Sequence, residues 1–134
     1  MGCYADRKKM PTVFVLARDW KLRTAVRAEL REIGIHALGI DSPDDAARLI
    51  ASGEMPAAVV LEVTNDFISH PAIQELASRV PTIWIASRME KIPLPLPDAS
   101  GAAASNRGAL LYRPVRIGDI VSRVRDILQK GQAA

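Results

Sequence analysis

Aromatic side chains are scarce in this chain. Phe, Trp and Tyr together make up 4% of 134 residues, although 49% of residues are hydrophobic. The core is therefore expected to be aliphatic, built from Val, Ile, Leu and Ala. Cysteine occurs once, as Cys3, which excludes an internal disulfide and a cysteine metal cage and fits a reducing cytoplasm. The two histidines, His36 and His70, have no partner at metal-ligand spacing and are expected at surface or capping positions. No apolar run approaches the length of a membrane span. Tyr4-Ala5-Asp6 follows Met1-Gly2-Cys3, which predicts no signal peptide, and Asp6 stands where N-myristoylation needs Ser or Thr. No glycine-rich phosphate loop and no nucleophile-and-base motif is present. The net charge of +3 is mildly basic, with Arg7-Lys8-Lys9 early and Arg116, Arg123, Arg125 and Lys130 late. Such a balance permits nucleic-acid binding without demanding it.

What is present is a regular alternation of short apolar runs and amphipathic segments. Thr12-Val13-Phe14-Val15-Leu16-Ala17 predicts a first buried strand. Asp19 is placed to cap a helix running to about Glu32, with Leu22, Ala25, Val26, Leu30 and Ile33 inside and Lys21, Arg23, Arg27 and Arg31 outside. Gly34 closes it, since glycine tolerates positive φ. Ile35 to Ile40 alternates and predicts an edge strand. Ser42 caps the next helix, with Pro43 at its first position and Asp45 imitating a capping box. Ala57-Ala58-Val59-Val60-Leu61-Glu62-Val63 is the central feature. It is a short Val-rich run between Pro56 and a Thr64-Asn65-Asp66 turn, and it reads as a strand buried on both faces. Its one charge, Glu62, falls at the carboxyl end of a parallel sheet, where open α/β folds place their sites.

A helix over Pro71 to Arg79 and a strand over Thr82 to Ala86 follow. Pro93-Leu94-Pro95-Leu96-Pro97 forbids a helix interior, so the helix of the fourth unit is expected to be shortened or replaced by a loop. The Ala/Ser/Gly-rich stretch after it permits at most a short helix over Ala102 to Ala104. Ala109 to Tyr112 predicts a fifth strand, and Ile117 to Gln129 a final helix. The expected organisation is a polar arm (1–11), one α/β domain (12–130) and a tail (131–134). Five strand–helix units imply a doubly wound, five-stranded parallel sheet with right-handed connections.

The chain resembles the receiver domain of two-component response regulators, the CheY-like superfamily. The resemblance covers nearly everything after Pro11. It rests on the five βα units, the apolar strand ending in an acid, and the basic residue before proline after strand five, Arg113-Pro114. It implies a flavodoxin-like strand order of 2-1-3-4-5. It also implies a chemistry: a carboxylate accepts a phosphoryl group, acids after strand one hold Mg²⁺, a Ser or Thr after strand four and a Lys after strand five bind phosphoryl oxygens.

This sequence departs at each of those positions. Glu62 stands where the acceptor Asp belongs, and its extra methylene displaces the oxygens from in-line geometry. Ala17 and Arg18 replace the metal acids, with Asp19 one position late. Ala86 replaces the hydroxyl, with Ser87 next to it. Arg113 replaces the lysine, keeping the charge on a forked head. Glu62, Arg18 and Arg113 are expected to converge, with an arginine–carboxylate pair filling the volume of metal and phosphate. The expected function is a non-phosphorylatable pseudo-receiver. It is not an enzyme, needs no metal or cofactor, and acts in the cytoplasm through a protein partner or a homodimer. The alternatives are an atypical acceptor with residual Mg²⁺-dependent phosphorylation and a basic nucleic-acid module.

Overall fold

The strands are five residues each, and the inner ones are short apolar runs rich in Val, Ile and Leu. The computed structural model describes residues 11–87 and 108–133. In chain order the elements are β1 (Thr12–Leu16), α1 (Trp20–Glu32), β2 (His36–Ile40), α2 (Pro43–Ala51), β3 (Ala58–Glu62), α3 (Asn65–Ile68), α4 (Pro71–Arg79), β4 (Thr82–Ala86), β5 (Gly108–Tyr112) and α5 (Ile117–Ala133). All strand pairs are parallel, in the order β2-β1-β3-β4-β5. The sheet order and fold class are those expected from the sequence, and β2 is an edge strand. The polar arm and the proline-rich segment expected to replace the fourth unit's helix lie outside the described residues.

The period of two along each strand divides the core into two halves. Val13, Val15, Ala58, Val60, Ile83 and Ile85 face α1 and α5, where Leu22, Val26, Leu30, Ile120, Val121 and Val124 close the layer. Phe14, Leu16, Val59, Leu61 and Trp84 face the other way, onto Ala46 of α2, Phe67 and Ile68 of α3, and Ile73 and Leu76 of α4. Both faces of β1, β3 and β4 are thus covered, as a parallel sheet requires.

Local signals set the boundaries. Asp19 caps α1, its carboxylate accepting from the N–H groups of Lys21 and Leu22. Ser42 caps α2 through the Asp45 N–H. His70 caps α4, its Nδ1 accepting from the Ala72 N–H at 3.2 Å. Gly34 and Gly53 adopt positive φ after α1 and α2. Gly108 opens β5 so close to β4 that a Cβ there would lie 2.1 Å from the Thr82 carbonyl oxygen.

Four sequence expectations need correction. Ile33, expected on the inner stripe of α1, is exposed at its C-terminal cap, past the last turn that faces the sheet. Thr64-Asn65-Asp66 does not simply turn the chain: Asn65–Ile68 forms a one-turn helix, because burying Phe67 and Ile68 pulls the segment onto the sheet. The core is not purely aliphatic, since Phe14 and Phe67 are the largest fully buried side chains. The last helix continues past Gln129 to Ala133.

Candidate functional site

Three elements meet at the carboxyl end of the sheet because of the strand order. β1 lies directly beside β3, so the loop from β1 into α1 passes over the end of β3. β5 lies one strand further on, beyond β4, and the residue that follows it is Arg113. Glu62 is the last residue of β3. The alternation that aims Ala58 and Val60 at α1 and α5 aims Glu62 toward the same side, at the rim.

The Glu62 side chain is 13% exposed, and both of its oxygens accept hydrogen bonds from the chain. Its Oε1 accepts from the main-chain N–H of Arg18 at 2.7 Å and from that of Asp19 at 3.1 Å. Its Oε2 accepts from a terminal nitrogen of the Arg113 guanidinium at 2.6 Å. The other terminal nitrogen of Arg113 lies 3.4 Å from the Asp19 carboxylate, so one guanidinium bridges β3 and the cap of α1. The peptide bond between Arg113 and Pro114 is cis.

The expected convergence is right for Arg113 and wrong for the Arg18 side chain. Arg18 meets Glu62 through its main chain. Its guanidinium turns outward to Asp66, the Nε donating at 2.7 Å and a terminal nitrogen pairing with the same oxygen. The physical reason is competition: the Arg18 N–H already holds Glu62, and Asp66, also bonded by the Thr64 hydroxyl, offers a second carboxylate close by. Ala17 is buried in the core half made by α1 and α5. Ala86 is buried on the opposite half and brings no polar atom to the site from its side chain. Ser87 is half-buried at the start of the next loop.

Asp66 and Thr64 are site residues that sequence reasoning missed. The available signal was an acid just past β3 facing an arginine just past β1, the two strands being neighbours in the expected order. The amide donors of Arg18 and Asp19 left no signal, since every residue but proline carries one.

Charge balance follows from these contacts. Desolvation disfavours the ionised form of Asp19. The N–H groups of Leu22 and Lys21 and the Arg113 guanidinium outweigh that and hold its carboxyl below the ordinary value of 3.8. Asp66 is likewise held below 3.8, where desolvation is outweighed by the Thr64 hydroxyl and by Arg18. A carboxyl whose pKa is lower in the folded chain adds stability that is complete above its unfolded pKa and is lost as pH falls through the folded one. Acid titration is therefore expected to leave this contribution intact above about pH 4 and to remove it below. Arg18→Ala is expected to lower stability at neutral pH by about 0.5 kcal/mol, since the pair is exposed, and to flatten the acid limb. Urea unfolding at pH 7 and pH 3 reads both.

The receiver fold implies a Mg²⁺ ion at this end of the sheet. The donor set does not suit one. What points at the site is two amide N–H groups and a guanidinium, all carrying positive partial or full charge, whereas Mg²⁺ wants oxygen ligands. Among the described residues no group of three or more His, Cys, Asp or Glu could hold a metal ion.

Solved structures similar to this one agree on the architecture. A response regulator receiver protein from Burkholderia phymatum superposes with a TM-score of 0.61 at 25% identity, covering 89% of this chain and 95% of its own. The receiver domain of the Francisella response regulator 1452 gives 0.65 at 19% identity, over 90% and 98% of the two chains. A CheY-like receiver domain protein from Methanospirillum hungatei gives 0.66 at 15% identity, over 92% and 98%. This chain has the fold of a response regulator receiver domain. No family model and no curated protein matches its sequence. No helix among the described residues is long and apolar enough to cross a membrane.

Proposed function

We propose that the chain is a pseudo-receiver: a signalling module that neither takes Mg²⁺ nor accepts a phosphoryl group and that works through protein–protein contact, with another protein or with a second copy of itself. One observation carries this reading. Both oxygens of Glu62, the residue at the acceptor position, are committed to donors of the chain itself. In-line transfer needs a free carboxylate oxygen facing the donor phosphorus and cations on the phosphoryl oxygens. Here the carboxylate is capped, and Arg113, the cation in the lysine position, is already paired with it.

The positions Ala17, Arg18 and Asp19, Ala86 and Ser87, and Arg113 and Pro114 are read as vestiges of the acceptor machinery. Docking in place of chemistry is supported by the surface beside the site. A groove there is lined by Lys21, Leu22, Ala25, Val115 and Ile117. Trp20, at the start of α1, is 61% exposed.

Incubation with acetyl phosphate and Mg²⁺, followed by intact-mass measurement, tests the reading. The expected result is no phosphoryl adduct at any Mg²⁺ concentration. A Mg²⁺-dependent adduct mapping to Glu62 overturns it.

A further inference from the structure

The donors at the end of β3 have a property that the capped acceptor alone does not explain. Two main-chain N–H groups, those of Arg18 and Asp19, and one guanidinium, that of Arg113, aim at one small volume from separate elements. They are not the free N–H groups of a helix end: the first-turn donors of α1, on Lys21 and Leu22, are spent on the Asp19 side chain. The occupant's two oxygens divide the donors between them, the amides on Oε1 and the guanidinium on Oε2. That division suits a planar, two-oxygen anion.

The donors are also held independently of their occupant. The β1–α1 loop is fixed on one side by the Leu16↔Leu61 pairing and by the Ala17 N–H donating to the Ile40 carbonyl at 3.0 Å. On the other side it is fixed by the α1 cap. Arg113 is anchored by its own N–H, which donates to the Ala86 carbonyl at 2.8 Å, and by its second contact to Asp19.

We infer that this end of the sheet is a carboxylate receptor whose ligand, the Glu62 side chain, is tethered to it. A carboxylate supplied from outside takes the same donors when Glu62 is absent. The inference rests on the pseudo-receiver reading and adds the ligand class: where a phosphorylatable receiver gathers a cation, this chain gathers an anion. An acidic group on a partner would compete with Glu62 for the same three donors.

The test is thermal unfolding of the full chain and of Glu62→Ala in sodium acetate, sodium sulfate and sodium chloride at matched ionic strength. Glu62→Ala is expected to melt lower than wild type in chloride. Acetate at about ten times its dissociation constant is expected to recover roughly 3–5 °C beyond chloride, while wild type shows no acetate-specific shift. Adding Arg113→Ala to Glu62→Ala is expected to abolish the recovery. Should Glu62→Ala not fold, the same titration is made on Glu62→Thr, whose β-branched side chain suits a strand and still vacates the carboxylate position. A folded variant that responds to acetate no more than to chloride overturns the receptor. With the wild-type response to each salt subtracted, a response to sulfate exceeding that to acetate overturns the carboxylate assignment. Phosphorylation of the wild type would strike the pseudo-receiver reading alone, since the acetate response is read without Mg²⁺ or phosphodonor.

Discussion

Arg113→Ala is expected to destabilise the chain by about 2 kcal/mol at neutral pH, which for a domain of this size lowers the melting temperature by roughly 7 °C. Removing the guanidinium leaves the Glu62 carboxylate, 13% exposed, with amide donors but no counter-charge. It also strips Asp19 of its cation. Breaking a fully buried pair costs more, on the order of 3–5 kcal/mol. Arg113 is itself 38% exposed, so water recovers part of the loss. Arg113→Lys separates charge from geometry. A lysine supplies one point charge and cannot bridge two carboxylates through a planar fork, so it is expected to recover about half of the loss. Thermal unfolding at low and moderate salt reads all of this. A lysine variant as stable as wild type would mean that the Asp19 contact adds nothing. An alanine variant as stable as wild type would mean that the amides alone hold Glu62.

The second large effect concerns metal affinity. Wild type and Glu62→Asp are expected to be indifferent to Mg²⁺, and Arg18→Asp combined with Glu62→Asp to bind it with a dissociation constant on the order of millimolar. Shortening the acid alone leaves the Arg18 guanidinium beside the site, neutralising Asp66. The double change removes that cation, frees Asp66 and adds an acid after β1, so several carboxylate oxygens can gather round one ion. Trp20, exposed and two positions past Arg18, reports the binding by fluorescence. Trp84, buried in β4, gives a constant background. A Glu62→Asp single variant that binds Mg²⁺ equally well would remove Arg18 from the explanation.

The fold was legible in the sequence because its signals are local and repeated. The inner strands β1, β3 and β4 are short apolar runs rich in Val, Ile and Leu, and Asp19, Ser42, Pro43, Gly34 and Gly53 mark helix ends by mechanisms that act within one turn. The site was legible where it depends on a charged side chain at the end of a strand, as with Glu62 and Arg113. It was not legible where it depends on a choice between partners. The Arg18 side chain had two carboxylates within reach, Glu62 and Asp66. In the structure Glu62 is held by the main chain of Arg18 and Asp19 and by Arg113, and Asp66 takes the Arg18 guanidinium, a fact of loop geometry that no residue type announces. The short helix over Asn65–Ile68 was hidden for a similar reason, since Thr-Asn-Asp is turn chemistry until Phe67 finds the core.

That two of the three groups holding Glu62 are main-chain amides has a consequence for how this chain can change over time. Any residue except proline at positions 18 and 19 offers the same N–H in the same place. The side chain at 18 can drift without loosening this grip, whereas the one at 19 also caps α1 and holds Arg113, and comparison of side chains at 18 will miss the part of the arrangement that persists. Proline alone, at 18 or at 19, would make it visible by its loss.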